Sequence, residues 1–256
     1  SFQSFNPGFA WDISDTLKLT VDANYTKGEF RRDSPTVLVI TKANSGVTAT
    51  YTNHDGMPEF KANIDVNDPK NFQWDGGRLN MQSEERETET KGLHADLKWG
   101  DSSFNIQFGL AYDDMSRSIT PYDNTGPWQN YACGNNPSVN LPGPNSQPAC
   151  KGEVITNTAA AQAAGYPAYP GYGTFFTAGA TTPITGGGSA VPQSALANYL
   201  EPGPYGYINV NWDKFANDTK YYEFLSQAPA VGGSNISSPR SFVREKVEGA
   251  YIQVNG

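Results

Sequence analysis

No apolar run in this 256-residue sequence approaches 18 residues, which excludes a transmembrane helix. The first residues, Ser1-Phe2-Gln3-Ser4-Phe5, lack the basic start and apolar middle of a secretory signal, so we expect a mature or cut polypeptide. Basic residues are in deficit, 18 Lys and Arg against 26 Asp and Glu. The resulting net charge of −8 argues against a nucleic-acid partner, whose phosphates call for Lys and Arg. Hydrophobic residues make up only 37%, lean for a soluble core at this length. A protein that turns apolar side chains to lipid and polar ones inward needs no such core.

Catalytic and metal-binding patterns are also missing. There is no Gly-x-Ser-x-Gly and no His-Glu-x-x-His. Glu84-Glu85 and Asp113-Asp114 are chain neighbours, and on a strand they point to opposite faces, so they form no acid/base dyad. Gly165 to Gly173 is rich in Gly but has no Lys and no following helix pattern, which makes it a stiff Tyr/Pro loop and not a phosphate loop. His54 and His94 lie far from the cysteines and lack ligand spacing, so no metal and no cofactor is expected. We expect no enzyme. Cysteine is limited to Cys133 and Cys150, 17 positions apart in a Gly/Pro-rich stretch. They read as one disulfide of an oxidising compartment, worth ~3 kcal/mol in the chain-entropy model.

What the sequence does hold is strict alternation. From Leu17 to Tyr25 every odd residue is apolar and every even one polar. The pattern returns in Leu93 to Trp99 and, after Gly100-Asp101-Ser102-Ser103, in Phe104 to Tyr112. A period of two is a strand with one apolar face, and the last two copies form a hairpin. The stretches run roughly seven to ten residues, near the ~9–11 of a tilted membrane strand. Tyr112 stands eight residues from Phe104, and Tyr25 eight from Leu17. That is roughly 26 Å at ~3.3 Å per residue, close to the ~25 Å between the aromatic girdles of an outer-membrane barrel. The expected lipid-facing set is Leu17, Leu19, Val21, Leu93, Leu97, Trp99, Phe104, Ile106, Phe108, Tyr112 and Ile252. The opposite face carries Lys18, Asp22, Asn24, His94, Asp96, Lys98, Asn105 and Gln107.

Connection lengths point the same way. Ser14-Asp15-Thr16 and Gly100 to Ser103 are tight, whereas Asp33 to Gly77 and Tyr122 to Arg240 are long. The tight ones fall at one end of the strands and the long ones at the other, as in outer-membrane barrels. We read the charged run Glu84 to Lys91 as the wet upper part of the strand that turns apolar at Leu93. Phe9-Ala10-Trp11-Asp12-Ile13 ends an earlier strand, and a last one spans Val243 to Asn255. Short helical hints lie at Thr158–Ala164, Gln193–Tyr199, Trp212–Phe215 and Lys220–Leu225.

The expectation is therefore an all-β chain: an antiparallel transmembrane β-barrel segment, about five strands of a larger barrel, with a long, partly helical extracellular loop. Residues 1–121 supply strands with an extracellular insertion at 33–77, 122–240 the loop region, and 241–256 a strand.

Two stretches, Asn6-Pro7-Gly8-Phe9-Ala10-Trp11-Asp12-Ile13-Ser14-Asp15-Thr16-Leu17-Lys18-Leu19 and Val243 to Val254, resemble mid-barrel sequence of TonB-dependent outer-membrane receptors. The likeness is greatest to the large proteobacterial kind often tied to carbohydrate uptake. It covers the strand segments and not the long loop, and it rests on patterns, not on an invariant motif. It implies a bacterial outer-membrane location, contact with outer-membrane lipid, and import of a small molecule or oligosaccharide. Energy would come from a TonB complex acting through a plug domain absent from this chain. Such receptors have a plug and 22 strands. With about five strands, no plug and no terminal aromatic before Gly256, this sequence is expected to be part of a larger protein, because open sheet edges cannot face lipid.

Substrate contacts are expected in the loop, where aromatics lie amid Asn, Asp and Gln. The candidates are Trp128, Gln129, Tyr131, Tyr205, Tyr207, Trp212 and Asp213, with Trp128 and Trp212 foremost. The alternative reading of each ring is a miniature core of the loop itself. The rival for the whole chain is a soluble secreted β-sandwich that binds glycans, or a surface adhesin. It requires Leu19, Val21, Leu97, Ile106 and Phe108 to be sealed in a two-sheet core.

Overall fold

The computed structural model describes residues 1–42, 45–140, 148–152, 189–204, 206–233 and 238–256. In chain order the strands are β1 (Phe2–Phe5), β2 (Gly8–Ser14), β3 (Leu17–Asp33), β4 (Thr36–Thr41), β5 (Ala49–His54), β6 (Met57–Ala62), β7 (Phe72–Asn80), β8 (Gln82–Gly100), β9 (Asn105–Asp123), β10 (Asn135–Asn140), β11 (Pro148–Cys150), β12 (Leu200–Pro202), β13 (Ile208–Val210) and β14 (Ser241–Asn255). Among the described residues three α-helices join them, α1 (Thr125–Cys133), α2 (Trp212–Asp218) and α3 (Tyr221–Ser226). The chain is all-β in character and mostly antiparallel. It divides into two compact units, one of Ser1–Arg32, Ser83–Pro121 and Ala230–Gly256, the other of Asp33–Gln82 and Tyr122–Pro229.

The first unit is one sheet of long strands. β1 and β2 both pair with β3, at Tyr25–Gly28 and Leu17–Asp22. They occupy one strand position interrupted at Asn6-Pro7, where proline has no N–H for the ladder but its carbonyl still accepts from Ala23 N at 2.9 Å. The order is then β1/β2, β3, β8, β9, β14. β3 has 17 residues, and β8 and β9 have 19 each. At ~3.3 Å per residue they are roughly 55–65 Å long, twice what a bilayer core requires. The charged run Glu84 to Lys91 is strand throughout.

The two tight turns sit side by side, because Gly100 N–H donates to Thr16 O at 2.8 Å. Gly100 has φ +116°, and a Cβ there would meet Phe104 O at 2.2 Å. The turn therefore demands glycine. Asp101 accepts from Ser103 Oγ, Ser103 N and Phe104 N at 2.7, 2.8 and 3.1 Å, which holds its carboxyl below the ordinary range, the Ser103 hydroxyl contributing most.

The second unit has its own core. β7 pairs with β4 along one edge. Side chains cap its other edge: Trp74 N donates to Gln193 Oε1 (2.6 Å), Leu79 N to Gln129 Oε1 (2.8 Å) and, just past the strand, Met81 N to Thr125 Oγ1 (2.8 Å). These bonds satisfy a buried backbone edge without another strand. They also join 33–82 to 122–229 in one unit, where the sequence suggested separate excursions at 33–77 and 122–240. Phe215 of α2 is the hub. The rings of Trp74, Trp128, Tyr199 and Trp212 lie 5.9–6.3 Å from it, and Trp128 and Tyr221 meet edge-on at 5.1 Å. Cys133 and Cys150 form the expected disulfide, buried between the end of α1 and β11. The hints at 193–199, 212–215 and 220–225 become a 3₁₀ turn, α2 and α3, while 158–164 and the Gly165–Gly173 loop lie outside the described residues. Helix α1, whose first turn contains Gly126 and Pro127, was not expected from the sequence.

Candidate functional site

Alternation and register assign every residue of the first unit to a face. On one face β3 presents Leu17, Leu19, Val21, Ala23 and Tyr25, then Lys27, Glu29 and Arg31. β8 presents Trp99, Leu97, Ala95 and Leu93, then Lys91, Glu89, Glu87 and Glu85. Ion pairs place the two rows side by side: Lys27 lies 3.1 Å from Glu87, Arg31 3.4 Å from Glu85, and the Lys91 ammonium 5.9 Å from the Tyr25 ring centroid. β9 adds Ile106, Phe108, Leu110 and Tyr112, then Asp114. β14, in register, adds Val254, Ile252 and Ala250, then Glu248, Lys246 and Arg244. Arg244 grips Asp114 through two bonds, one of 2.8 Å from Nε. Leu93, Ala95, Leu110, Tyr112, Glu248 and Ala250 line one shallow depression on this face. On all four strands the change from apolar to charged thus comes at one level, with Tyr25 and Tyr112 at the boundary.

The apolar band is uncovered. Leu110 is 67% exposed, Ile252 65%, Trp99 54% and Leu93 52%. Phe104, Phe108 and Tyr112 are also exposed, and Leu17, Leu19, Val21, Leu97 and Ile106 are half-buried. None of the eleven residues expected to face lipid is buried. The band is wider than that set. Trp11 pairs with Leu19 and Phe9 with Val21, so β2 extends it, as do Leu110 and Val254. Their alternation was already visible in the sequence.

At the level of the band the opposite face is polar and cross-linked, while beyond it Phe30, Met115, Val243 and Val247 are exposed on that face. His94 of β8 stands between Asp22 of β3 (Nδ1 to Oδ2, 3.0 Å) and Asp113 of β9 (Nε2 to Oδ2, 3.3 Å). Tyr251 of β14 donates to Asp96 of β8 at 2.7 Å, and Asn255 Nδ2 donates to Asn105 Oδ1 at 2.9 Å. Asp113 and Asp114 serve opposite faces, as neighbours on a strand must. Farther along, Glu84 is 1% exposed. Burial pushes its carboxyl up, but the Ser238 N–H at 2.9 Å and the Arg86 guanidinium outweigh that and leave it below its ordinary range.

The loop candidates separate. Trp128 is 0% exposed, a core ring beyond the reach of a surface ligand, and Gln129 is spent on Leu79 N. Their role is packing, which corrects the expectation that Trp128 leads the substrate contacts. Tyr131 packs against Phe224 and Trp212 against Phe215 and Tyr221, both partly exposed. Asp213 lies exposed in the first turn of α2. Tyr207 is exposed, and its ring centroid is 6.3 Å from that of Phe60. Tyr205 lies outside the described residues. At the end of α2, Asp218 accepts from Tyr199 Oη and Lys214 Nζ, both at 2.7 Å. Lys214 foremost holds Asp218 low, while burial and then Asp218 raise Tyr199. Among the described residues no group of His, Cys, Asp and Glu could hold a metal, and no helix is long and apolar enough to cross a membrane, which leaves strands that cross one untouched.

Comparison of the chain with protein-family models, curated proteins and solved structures finds no match.

Proposed function

We propose that the first unit is part of the wall of an outer-membrane β-barrel, with its apolar band against acyl chains and its polar face toward the lumen. One observation carries this reading: an uncovered apolar band that gives way to charge at the same level on four adjacent strands. A soluble sandwich would bury Leu19, Val21, Leu97, Ile106 and Phe108, and none of the five belongs to the buried core. The tyrosines and charges at the boundary suit a lipid–water interface, where amphipathic rings and long basic side chains settle. Strand edges open to lipid are untenable, so the barrel closes with strands additional to these.

In this reading the second unit is the ligand-capturing part of an importer, and TonB coupling through a plug is what the sequence resemblance adds. A carbohydrate substrate has the same basis. The test is reconstitution in phospholipid vesicles of the barrel completed by its additional strands, with Leu97→Arg compared with Gln107→Arg. An arginine on the lipid face at mid-depth costs ~2–4 kcal/mol, and one on the lumen face little. Selective loss of insertion in Leu97→Arg supports the wall. Equal tolerance of both, or a completed wild-type barrel that stays in the aqueous phase, contradicts it.

A further inference from the structure

In the second unit, described side chains that are both large and apolar and exposed are, apart from Leu38, all rings: Tyr51, Phe60, Tyr207 and Tyr222. Three of them form one surface. Tyr51 and Phe60 are directly opposite across the β5–β6 hairpin and so share a face. Phe60 in turn meets Tyr207, their planes inclined by 40°. They are 65%, 45% and 47% exposed. Asn53, two residues from Tyr51, lies on the same hairpin face and is exposed.

The scaffold under these rings is fixed. Asp55 and Gly56 take φ +50° and +81° in the hairpin turn, the backbone a two-residue turn needs. The Tyr207 loop is tied by Gly203 N to Tyr207 O (2.9 Å), Gly203 N to Asn67 Oδ1 (2.9 Å) and Ile208 N to Val66 O (2.9 Å). The hydroxyls of Tyr51 and Tyr207 and the amide of Asn53 have no hydrogen-bond partner among the described residues. Charge is turned away: Glu59 and Lys61, the neighbours of Phe60 on β6, belong to the other hairpin face and pair with each other at 2.9 Å.

We infer that Tyr51, Phe60 and Tyr207, with Asn53, form a binding platform for a neutral oligosaccharide. The electron-rich faces of the rings attract the weakly positive C–H faces of pyranose units. The uncommitted phenol hydroxyls and the amide answer the sugar hydroxyls, since an amide both donates and accepts. Among the described side chains no cation stands on the platform to select an acidic sugar, and the exposed aliphatic one on that face is the small Ala49, not the large residues a protein-docking patch would bring. The inference rests on the reading of the second unit as the ligand-capturing part.

The test is calorimetric titration of the full chain in detergent with cellohexaose, whose equatorial hydroxyls leave flat C–H faces, and with hexagalacturonate. Cellohexaose should bind, and Phe60→Ala and Tyr207→Ala should each weaken it at least tenfold. Tyr222→Ala, an exposed ring off the platform, should leave it unchanged. All three positions are surface rings, and unchanged near-ultraviolet dichroism outside the lost ring verifies folding. No binding of cellohexaose, tighter binding of hexagalacturonate, or equal loss in Tyr222→Ala overturns the platform. Self-association abolished by Phe60→Ala, read by sedimentation, would assign the rings to a second copy and overturn it too. Vesicle insertion without saccharide binding defeats the platform and spares the barrel wall, whereas saccharide binding by a completed barrel that never enters vesicles does the reverse.

Discussion

Tyr251 on β14 reaches across the intervening strand to Asp96 on β8, donating its hydroxyl at 2.7 Å. It can do so because Gly109, its register partner on β9, has no side chain: a Cβ there would lie 1.9 Å from Tyr251 Cε1. One glycine thus lets a polar bond span three strands on the face opposite the apolar band.

Gly109→Ala should displace the Tyr251 ring and break that bond. The expected result is a lower thermal midpoint, read by circular dichroism. Tyr251→Ala should remove most of the further penalty when combined with it, because the alanine then meets empty space. Independent, additive losses would show that the ring and the glycine are not coupled.

Phe215 touches four rings. Phe215→Ala should cost about 3–5 kcal/mol, the usual range for a buried Phe, in denaturant unfolding of the second unit followed by Trp fluorescence. Asp213→Ala, on the exposed side of the same helix, should change stability by less than about 0.5 kcal/mol.

Glu84 and Asp218 both ionise more readily in the folded chain than in an unfolded one. Stability from a depressed carboxyl is present above its unfolded value, near 4 for these groups, and is lost as pH falls through the lower folded value. The thermal midpoint should therefore hold from pH 7 to about 4.5 and fall below about pH 4. Glu84→Gln should flatten part of that acid limb. An unchanged limb in this variant would mean that Ser238 and Arg86 do not stabilise the carboxylate.

The long-stranded sheet was legible because its signal is local. Leu17 to Tyr25 and Leu93 to Tyr112 repeat every two residues, and the turn between Gly100 and Phe104 follows from its Gly and Asp. The disulfide was legible because only one pairing exists. The second unit was not, since what builds it is distant in sequence: Gln193 bonds Trp74 and Gln129 bonds Leu79 across 119 and 50 positions. For the same reason the sequence could not separate a core ring such as Trp128 from a surface ring such as Tyr207. Each is an aromatic in a polar loop until long-range packing covers one of them. Phe60, in a hairpin outside the long loop, carried no mark of its place beside Tyr207.

The most direct test of the barrel wall is spin-label accessibility along β8 in reconstituted vesicles, one label at a time from Leu93 to Lys98. If the wall reading holds, collision with oxygen, which concentrates in lipid, peaks at 93, 95 and 97, and collision with a water-soluble nickel chelate peaks at 94, 96 and 98. Nickel access at every position, or protection from both reagents at 93, 95 and 97, would mean that this band faces water or protein and would contradict it.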